Sequence, residues 1–516
     1  MTENSASNNK RIAKNTLFLY IRLGLSMIVS LYTSRVILNA LGVGDFGVYN
    51  VVGGVIALFA IVTSTLNTAT SRFLTVELGR DNIPGMRAIY SNCNTLYLIL
   101  GLFIILLEET IGLYLVNYVL VIPPDRVVAS NVLYQTVVIS SFITLINTPA
   151  GALIVSYEKM DVYAYIGVAE TVAKLAVALI LTFSSYDKII TLAVLNLIVA
   201  IGISGWRIGY CRRFMSQVFN FHLKFEKQIF RSMVGFSFWN LIGSAASVLR
   251  VQGVNILLNV FFGPVVNAAN AIAYQVNSAV NGFVSNFTLA VNPQITKTYA
   301  AEEYQRMKSL IYYSGRVSFY LLMFLCLPII FETNFILHLW LGKTVPEYAV
   351  IMTRLVLVIA MVETFTYSIG CAINATGEIR NYQLVICGIM LTIFPVTWLV
   401  FKLGALPYFG LVVYLATSIT ALISRFYFMD KLLNIHAKDY IKNVYKHTIL
   451  VSFMSIIIPI IVYHLLPEGW SRFIIMLLVV ELSNAICIWL FGLTPHDRQL
   501  VKQGIGKLLK NAKFTR

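Results

Sequence analysis

The chain has 516 residues, of which 58% are hydrophobic and only 12% are charged, and its mean hydropathy is +0.77. Soluble domains carry about 25% charged residues, so this composition excludes a soluble globular class. A helix needs about 20 apolar residues to cross a hydrocarbon core about 30 Å thick. The chain therefore predicts an all-α polytopic membrane protein with about fourteen transmembrane helices.

Apolar stretches between polar breaks place these spans in chain order. In the first half of the chain we expect helices near residues 17–38, 48–70, 90–115, 127–155, 163–183, 187–207 and 229–261. In the second half we expect them near residues 269–296, 309–336, 347–373, 381–401, 408–428, 448–466 and 470–492.

The longest polar break, residues 208–228, lies near the middle of the chain and mixes basic with apolar residues, which is typical of an interfacial linker. It predicts two helical lobes, each containing six spans. The predicted segments are a cytoplasmic tail (1–16), an N-terminal lobe (17–207), the linker (208–228), a C-terminal lobe (229–428), a cytoplasmic loop (429–447), two further helices (448–492) and a basic cytoplasmic tail (493–516).

The net charge of +16 is distributed unevenly over the predicted loops. If the N-terminus is cytoplasmic, the outer segments hold only Arg126, Lys188, Lys343, Lys402 and Arg472. This asymmetry follows the positive-inside rule and predicts that both termini are cytoplasmic. Basic residues at such positions face anionic lipid headgroups, so the charge does not require a nucleic-acid partner.

Several familiar motifs are excluded by their context. The six cysteines form no C-x-x-C pair and predict neither a metal site nor a disulfide framework. Residues 42–47, GVGDFG, match a dinucleotide-binding pattern, but they lie between two predicted spans and outside any βαβ unit. The sequence contains no Walker motif or nucleophile elbow, so we expect no cofactor and no ATP-driven pumping.

A weak internal repeat relates the two halves. The segment SRVILNALGVG aligns with VNILLNVFFGP and matches Asn39 with Asn259, and the same offset places Asn50 on Asn270. Repeats of this kind are typical of secondary transporters, whose sites lie between the repeats near the middle of the bilayer.

The predicted helix at 269–296 carries polar residues three or four positions apart, which places them on one face. Such a face must contact protein or water, because polar side chains in lipid are costly. Two interpretations stay open: hydrogen bonds between helices, and the lining of a solvated cavity. The cavity-lining candidates on this face are Asn270, Tyr274, Asn277, Asn281, Ser285 and Thr288.

The first helix of each half has a shorter polar face that includes an arginine. These faces add Ser26, Ser30, Asn240, Ser244 and Ser247 to the cavity-lining candidates, and the arginine candidates in the spans are Arg22, Arg35, Arg250 and Arg316. A charge inside the membrane costs at least about 3 kcal/mol, so such residues are usually paired or functional. For Arg22 and Arg316, which lie near predicted helix ends, extension of the side chain to the membrane surface is the alternative. On a straight helix Arg22 and Arg35 point about 140° apart, so they cannot both face one cavity.

Two acidic residues are candidates for ion coupling. Glu170 and Lys174 are four residues apart on one predicted helix, a spacing that favours an ion pair. Glu363 stands alone in the middle of a span, where a buried carboxyl group can carry a proton at neutral pH. A structural use of Glu363 is the alternative.

Four stretches of the chain resemble bacterial polysaccharide-unit flippases of the Wzx type. They are RIAKNTLFLYIRLGLSMIVSLYTSRVILNALGVGDFGVYNVVGGVIALF, VNPQITKTYA, LHLWLGKTVPEYAV and INATGEIRNYQ. These flippases belong to a superfamily with the MATE drug exporters and the lipid II flippases. The resemblance covers nearly the whole chain, but its motifs are diffuse and support the family better than a particular substrate.

The resemblance implies two pseudo-symmetric lobes around a central cavity, two C-terminal helices, and alternating access in the bacterial inner membrane. It implies transport of an undecaprenyl-diphosphate-linked oligosaccharide to the outer leaflet for O-antigen, capsule or exopolysaccharide synthesis. The arginine candidates would then bind the diphosphate, and a polysaccharide polymerase and chain-length machinery would be partners. The alternatives are a cation-coupled multidrug exporter of the same superfamily and a membrane glycosyltransferase; the short outer loops argue against an enzyme.

Overall fold

We describe a computed structural model of the protein. It describes residues 2–494 and Arg498, with gaps at 60–65, 68–69, 72, 76, 79, 158 and 221. For residues 2–23, 25, 228–229, 231–242, 244, 286, 289–290, 293 and 300 the backbone alone is described.

The described part of the chain is all-α, with short 3-10 and π-helical turns and no β-strand. In the first half the helices are α1 (Thr2–Ala57), α2 (Ile83–Leu107), α3 (Val127–Ile146), α4 (Thr148–Ser156), α5 (Met160–Phe183), α6 (Lys188–Phe214) and α7 (Lys227–Phe262). They are followed by α8 (Pro264–Ala300), α9 (Tyr304–Phe331), α10 (Thr333–Leu341), α11 (Ala349–Ala375), α12 (Arg380–Leu391), α13 (Ile393–Lys402), α14 (Phe409–Leu433), α15 (Ala437–Tyr440), α16 (Lys446–Leu465) and α17 (Trp470–Cys487).

Twelve segments of the described residues are long and apolar enough to cross a membrane, so the protein is a multi-pass membrane protein. They are Ser26–Ala57, Ile83–Val119, Pro124–Ser156, Met160–Phe183, Lys188–Phe214, Ala245–Phe262, Tyr304–Phe331, Ala349–Ala375, Arg380–Lys402, Phe409–Leu433, Ala437–Leu465 and Trp470–Gly492. The polar helix α8 is not among them, because its Asn, Ser and Thr residues lower its mean hydropathy. Ser26–Ala57 counts as one segment although its backbone breaks at Gly42, with φ 80° and ψ 169°.

Local sequence explains where several helices begin and break. The Asn82 side chain accepts a hydrogen bond from the backbone N–H of Gly85 at 3.0 Å and caps α2. The Asp187 carboxylate caps α6 in the same way, through the N–H groups of Ile189 and Ile190. Pro149 in the first turn of α4 coincides with the break between α3 and α4.

The contacts within the chain define two compact units. Unit 1 comprises Met1–Ile272, Leu341–Ala349 and Met390–Gly410; unit 2 comprises Ala273–Trp340, Val350–Ile389 and Leu411–Arg516. This division does not follow the predicted linker at 208–228, because α7 and the start of α8 group with unit 1. The two predicted lobes therefore stay a prediction.

Each unit has a core of its own. In unit 1, α1, α3 and α6 enclose one apolar cluster that contains Val52, Val55, Leu133, Tyr134 and Ile189. In unit 2, aromatic rings of α9, α11, α14 and the π-helical turn Ile441–Tyr445 pack against one another, and the ring centroids of Phe365 and Tyr445 lie 4.6 Å apart. Each unit thus fixes the positions of the polar side chains that lie inside it.

Candidate functional site

The polar face predicted for the helix at 269–296 is present on α8. Asn270 and Thr288 are buried, Asn277 and Asn281 are partly exposed, and Ser285 is exposed. Some of their hydrogen bonds stay within α8: Asn281 Nδ2 donates to Asn277 Oδ1 at 2.6 Å, and Ser285 Oγ donates to the Asn281 carbonyl at 3.0 Å. Bonds of this kind leave part of the hydrogen-bonding capacity of the face unused.

Four side-chain oxygens on α8, including Oδ1 of Asn267, are unused acceptors within the described part of the protein. The Oδ1 atoms of Asn270, Asn281 and Asn292 are buried and have no hydrogen-bond partner within the described part of the protein. Residues eleven apart lie within about 20° of each other around an α-helix, so the acceptors of Asn281 and Asn292, both in unit 2, lie on the same side of α8. Tyr274 is partly exposed on the same helix. The arrangement can bind hydroxyl or amide donors along the part of α8 that belongs to unit 2.

Unit 1 contains an amide cluster that the sequence interpretation missed. Asn267 Nδ2 donates to the backbone carbonyl and to the Oδ1 of Asn255 at 2.7 and 2.8 Å, and Asn270 Nδ2 lies 3.4 Å from the same Oδ1. On α1, a side chain at Gly54 would collide with the amide groups of Gln252 and Asn255. The available signal was the presence of several amide residues inside the apolar span 245–262 and directly after it.

The arginine candidates have different surroundings. Arg250 is buried within the span Ala245–Phe262, and Arg35 is partly buried within Ser26–Ala57. The side chain of Arg22 lies outside the described residues. A cation inside a membrane span is costly unless it is paired or functional, and the assignment of Arg250 and Arg35 to an anionic ligand stays a prediction.

Arg316 is anchored inside unit 2. It is 6% exposed, and its Nη1 donates to the backbone carbonyl of Asn443 at 2.8 Å. Asn443 lies in the π-helical turn Ile441–Tyr445. This contact explains the burial of Arg316 without a ligand, so its assignment to a diphosphate rests on the resemblance.

The serine candidates differ in their surroundings: one lies in a contact between two helices, and two are exposed. Ser26 Oγ on α1 lies 3.2 Å from Thr171 Oγ1 on α5, which makes it a contact between two helices. Ser30 is exposed, and Ser247 is exposed with its hydroxyl 3.9 Å from the sulfur of Met390. The side chains of Asn240 and Ser244 lie outside the described residues.

The two acidic candidates also differ. Lys174 Nζ lies 2.6 Å from Glu170 Oε1, so the ion pair expected from their spacing is present. In unit 2, the partly buried Glu363 accepts a hydrogen bond from Ser418 Oγ at 3.1 Å. Neither contact shows that the carboxylate exchanges an ion, so both assignments stay predictions.

A third intramembrane acid, Glu108, was missed by the sequence interpretation. Glu108 is 1% exposed. Its two carboxylate oxygens lie 3.3 and 3.5 Å from Ser141 Oγ on α3. It begins a π-helical turn, Glu108–Gly112, that continues α2. Two adjacent glutamates in an apolar stretch were the available signal.

The repeated asparagines Asn39 and Asn259 occupy similar positions in unit 1. Each precedes a glycine with positive φ: Gly42 has φ 80° and ψ 169°, and Gly263 has φ 79° and ψ −177°. Asn39 Oδ1 accepts a hydrogen bond from Thr344 Oγ1 at 2.8 Å. Asn259 Oδ1 accepts one from the backbone N–H of Val121 at 2.7 Å.

Among the described residues, no group of three or more His, Cys, Asp or Glu side chains is arranged to hold a metal ion. The free thiols in that part of the chain are mostly buried. The candidate site consists of arginine, amide and hydroxyl groups, which bind anions and hydrogen-bonding ligands.

Comparison with known proteins identifies the fold. The structure of the chain matches an inward-facing multidrug-resistance MATE family transporter of the MOP superfamily, with a TM-score of 0.67, 13% identity, and coverage of 81% of this chain and 99% of that one. It matches the lipid II flippase MurJ in an inward closed conformation with a TM-score of 0.66 and 14% identity, over 94% of this chain and 100% of that one. A MOP superfamily transporter from Pyrococcus furiosus matches with a TM-score of 0.57 and 13% identity, over 82% of this chain and 96% of that one.

No protein-family model and no curated protein sequence matches the chain. The class is nevertheless defined: this is a multi-pass membrane protein with the fold found in MATE transporters and in the MurJ flippase. At 13–14% identity the likeness concerns the fold.

Proposed function

We propose that this protein is a flippase that moves undecaprenyl-diphosphate-linked oligosaccharide units from the inner to the outer leaflet by alternating access. The units would serve the synthesis of a surface polysaccharide, and a polymerase and chain-length machinery would use the product. The protein would lie in the bacterial inner membrane with both termini cytoplasmic, as the distribution of basic residues predicts.

The observation that carries this proposal is the chemistry of the groups held inside the membrane. Arg250 is buried in a span of a protein with the fold of a lipid II flippase. A guanidinium group binds diphosphate oxygens through two parallel hydrogen bonds, which a buried position strengthens. The resemblance of the sequence to Wzx-type flippases supports the same substrate class.

The polar face of α8 has the chemistry needed to bind the sugar part of the proposed substrate. Its unused amide oxygens, Oδ1 of Asn281 and Oδ1 of Asn292, are hydrogen-bond acceptors, and sugar hydroxyl groups are donors. The exposed Ser285 hydroxyl lies on the same helix. Several weak contacts of this type can tolerate different sugars, whereas the diphosphate stays constant.

The test is translocation of undecaprenyl diphosphate bearing a fluorescently labelled oligosaccharide in proteoliposomes. We expect transport by the wild-type protein, and a decrease of about tenfold or more in Arg250→Gln and Arg35→Gln, because each loses a charge-assisted hydrogen bond. Arg80→Gln is the matched control, since Arg80 forms an exposed ion pair with Glu77. Equal rates in Arg250→Gln and the control, at equal amounts of inserted protein, would contradict the assignment of Arg250.

A cation-coupled multidrug exporter is the second candidate, favoured by the match to MATE structures at a TM-score of 0.67. The same proteoliposomes loaded with ethidium distinguish the two. Protein-dependent ethidium efflux without movement of the lipid-linked sugar would replace the flippase proposal with the exporter.

A further inference from the structure

Glu108 is a carboxyl group enclosed inside a membrane-spanning segment. It lies in the span Ile83–Val119, eleven residues before the end of the segment, which corresponds to about 16 Å along a helix. Its side chain is 1% exposed. At this depth water cannot solvate a carboxylate, so the protein itself must stabilise either the charge or a bound proton.

The described groups around Glu108 carry no positive charge. The packed stretch Val51–Ile56 of α1 has no titratable side chain. The titratable groups nearby are Tyr134 on α3 and the adjacent Glu109, and neither supplies a cation. None of the ion pairs found among the described residues includes Glu108.

The hydrogen bonds of Ser141 indicate which form of Glu108 fits the structure. Ser141 Oγ lies 2.8 Å from the backbone carbonyl of Val138 but 3.3 and 3.5 Å from the two Glu108 oxygens. The Val138 carbonyl is therefore the nearer acceptor for the single Ser141 proton. A protonated Glu108 can donate its O–H to Ser141 Oγ while Ser141 keeps its shorter bond to Val138, whereas a carboxylate has only the longer contacts with the Ser141 hydroxyl to stabilise its charge.

Backbone packing holds this arrangement in place. The Tyr134 hydroxyl donates to the Glu108 carbonyl at 2.5 Å, inside the π-helical turn Glu108–Gly112. A side chain at Gly112 would collide with that hydroxyl, so the turn requires glycine there. π-Helical turns inside α-helices are frequent at functional sites, because they leave backbone groups free to bond elsewhere.

We propose that Glu108 is a proton-binding residue that couples transport by this protein to proton movement. The inference rests on the proposed transport function. The proton binds to a carboxylate oxygen, forming an O–H bond, and it leaves to water when movement of α2 against α3 admits water to the carboxyl group. No other reactant is needed. The neighbouring Glu109 does not share this function, because it is partly exposed and its carboxylate accepts from Gln135 Nε2 at 3.1 Å.

The first measurement is infrared difference spectroscopy of purified wild-type protein in lipid, titrated with acid and base. We expect the carbonyl stretch of a protonated carboxylic acid at neutral pH, its loss in Glu108→Gln, and its retention in Glu109→Gln. Ser141→Ala should shift the frequency of the band, because it removes the acceptor of the acid proton. If Glu108→Gln does not fold, this variant tests whether the band belongs to Glu108. A band that is absent from the wild type, or unchanged in both Glu108→Gln and Ser141→Ala, would overturn the proposal.

The second measurement is transport of the labelled undecaprenyl-diphosphate oligosaccharide with an imposed pH gradient. We expect the gradient to accelerate the wild type and Glu109→Gln but not Glu108→Gln. An undiminished response in Glu108→Gln would refute coupling through Glu108. A wild-type protein that does not move this probe would contradict the proposed substrate instead, and the infrared titration would still decide whether Glu108 binds a proton.

Discussion

Arg472 and Glu332 form a two-pronged ion pair buried in unit 2. Their Nε–Oε1 and Nη2–Oε2 distances are 2.9 and 3.0 Å, and their side chains are 8% and 2% exposed. The Arg472 guanidinium also lies 4.5 Å from the centroid of the Tyr463 ring. The pair joins the start of α17 to the C-terminal end of α9, and so fixes the last membrane segment against its own unit.

Removing Glu332 leaves the buried Arg472 with only the longer contact of 3.9 Å to the half-exposed Glu468 carboxylate. We expect Glu332→Ala to lower the free energy of unfolding by about 3–5 kcal/mol, measured by chemical denaturation in detergent. The control is Glu303→Ala, which breaks the exposed pair with Arg306 and should cost at most about 1 kcal/mol. A similar loss in both variants would show that burial does not strengthen the Arg472–Glu332 pair.

At the level of elements, the segment between α6 and α7 is bound along the first turns of α2. The Arg87 guanidinium donates to the Gln217 carbonyl at 3.0 and 2.7 Å, and Asn94 Nδ2 donates to the Asn220 carbonyl at 2.9 Å. Thr95 Oγ1 donates to the Lys224 carbonyl at 2.7 Å. Side chains of α2 thus satisfy backbone carbonyls that no helix satisfies, and they order a long connection.

This binding predicts how the connection exchanges its amide hydrogens. The double variant Arg87→Ala, Asn94→Ala should increase the exchange rate of residues 215–226 about tenfold or more, because each lost bond is worth roughly 1 kcal/mol or more. Hydrogen–deuterium exchange with mass spectrometry measures it. Ser309→Ala, which removes a hydroxyl bonded only to its own helix at Gln305, should leave the segment unchanged. Unaltered exchange in the double variant would mean that packing alone orders the segment.

At the scale of the whole molecule, the internal repeat has a structural counterpart in unit 1. Asn39 and Asn259, matched by the repeat, each bond a loop from the opposite half of the sequence: Thr344 in one case and Val121 in the other. All four residues lie toward the predicted outer side. Under alternating access, contacts of this kind must break when the outer side opens.

A crosslink between Asn39→Cys and Thr344→Cys should therefore arrest transport. We expect a short thiol-specific crosslinker to abolish movement of the labelled lipid-linked oligosaccharide in the double variant and to leave Thr344→Cys alone active. The proteoliposome assay measures both. Full activity of a completely crosslinked protein would show that this contact persists throughout the transport cycle.

Several features of the candidate site could be predicted because they depend on local spacing. The Glu170–Lys174 pair follows from a separation of four residues, and the polar face of α8 follows from the helical period. The membrane class follows from composition, and the comparisons confirm the fold. The substrate, the lobes and the coupling residues stay predictions.

Other features depend on partners far apart in the sequence. Arg316 lies 127 positions from the carbonyl that it bonds, and Glu108 lies 33 positions from Ser141. An apolar helix in lipid shows little difference in composition between its lipid-facing and protein-facing sides, because lipid tails are as apolar as leucine. The hydrophobic pattern therefore could not show that Arg316 is anchored or that Glu108 is enclosed.

The sequence by itself determined that this protein crosses the membrane many times, approximately where it crosses, and which face of α8 is polar, because hydropathy and helical period act over one helix at a time. The tertiary structure alone decided which intramembrane charges are paired with distant residues, anchored by distant backbone groups or enclosed without a cation. Those outcomes depend on which helices pack together, and packing is set by contacts between distant segments that no local pattern encodes.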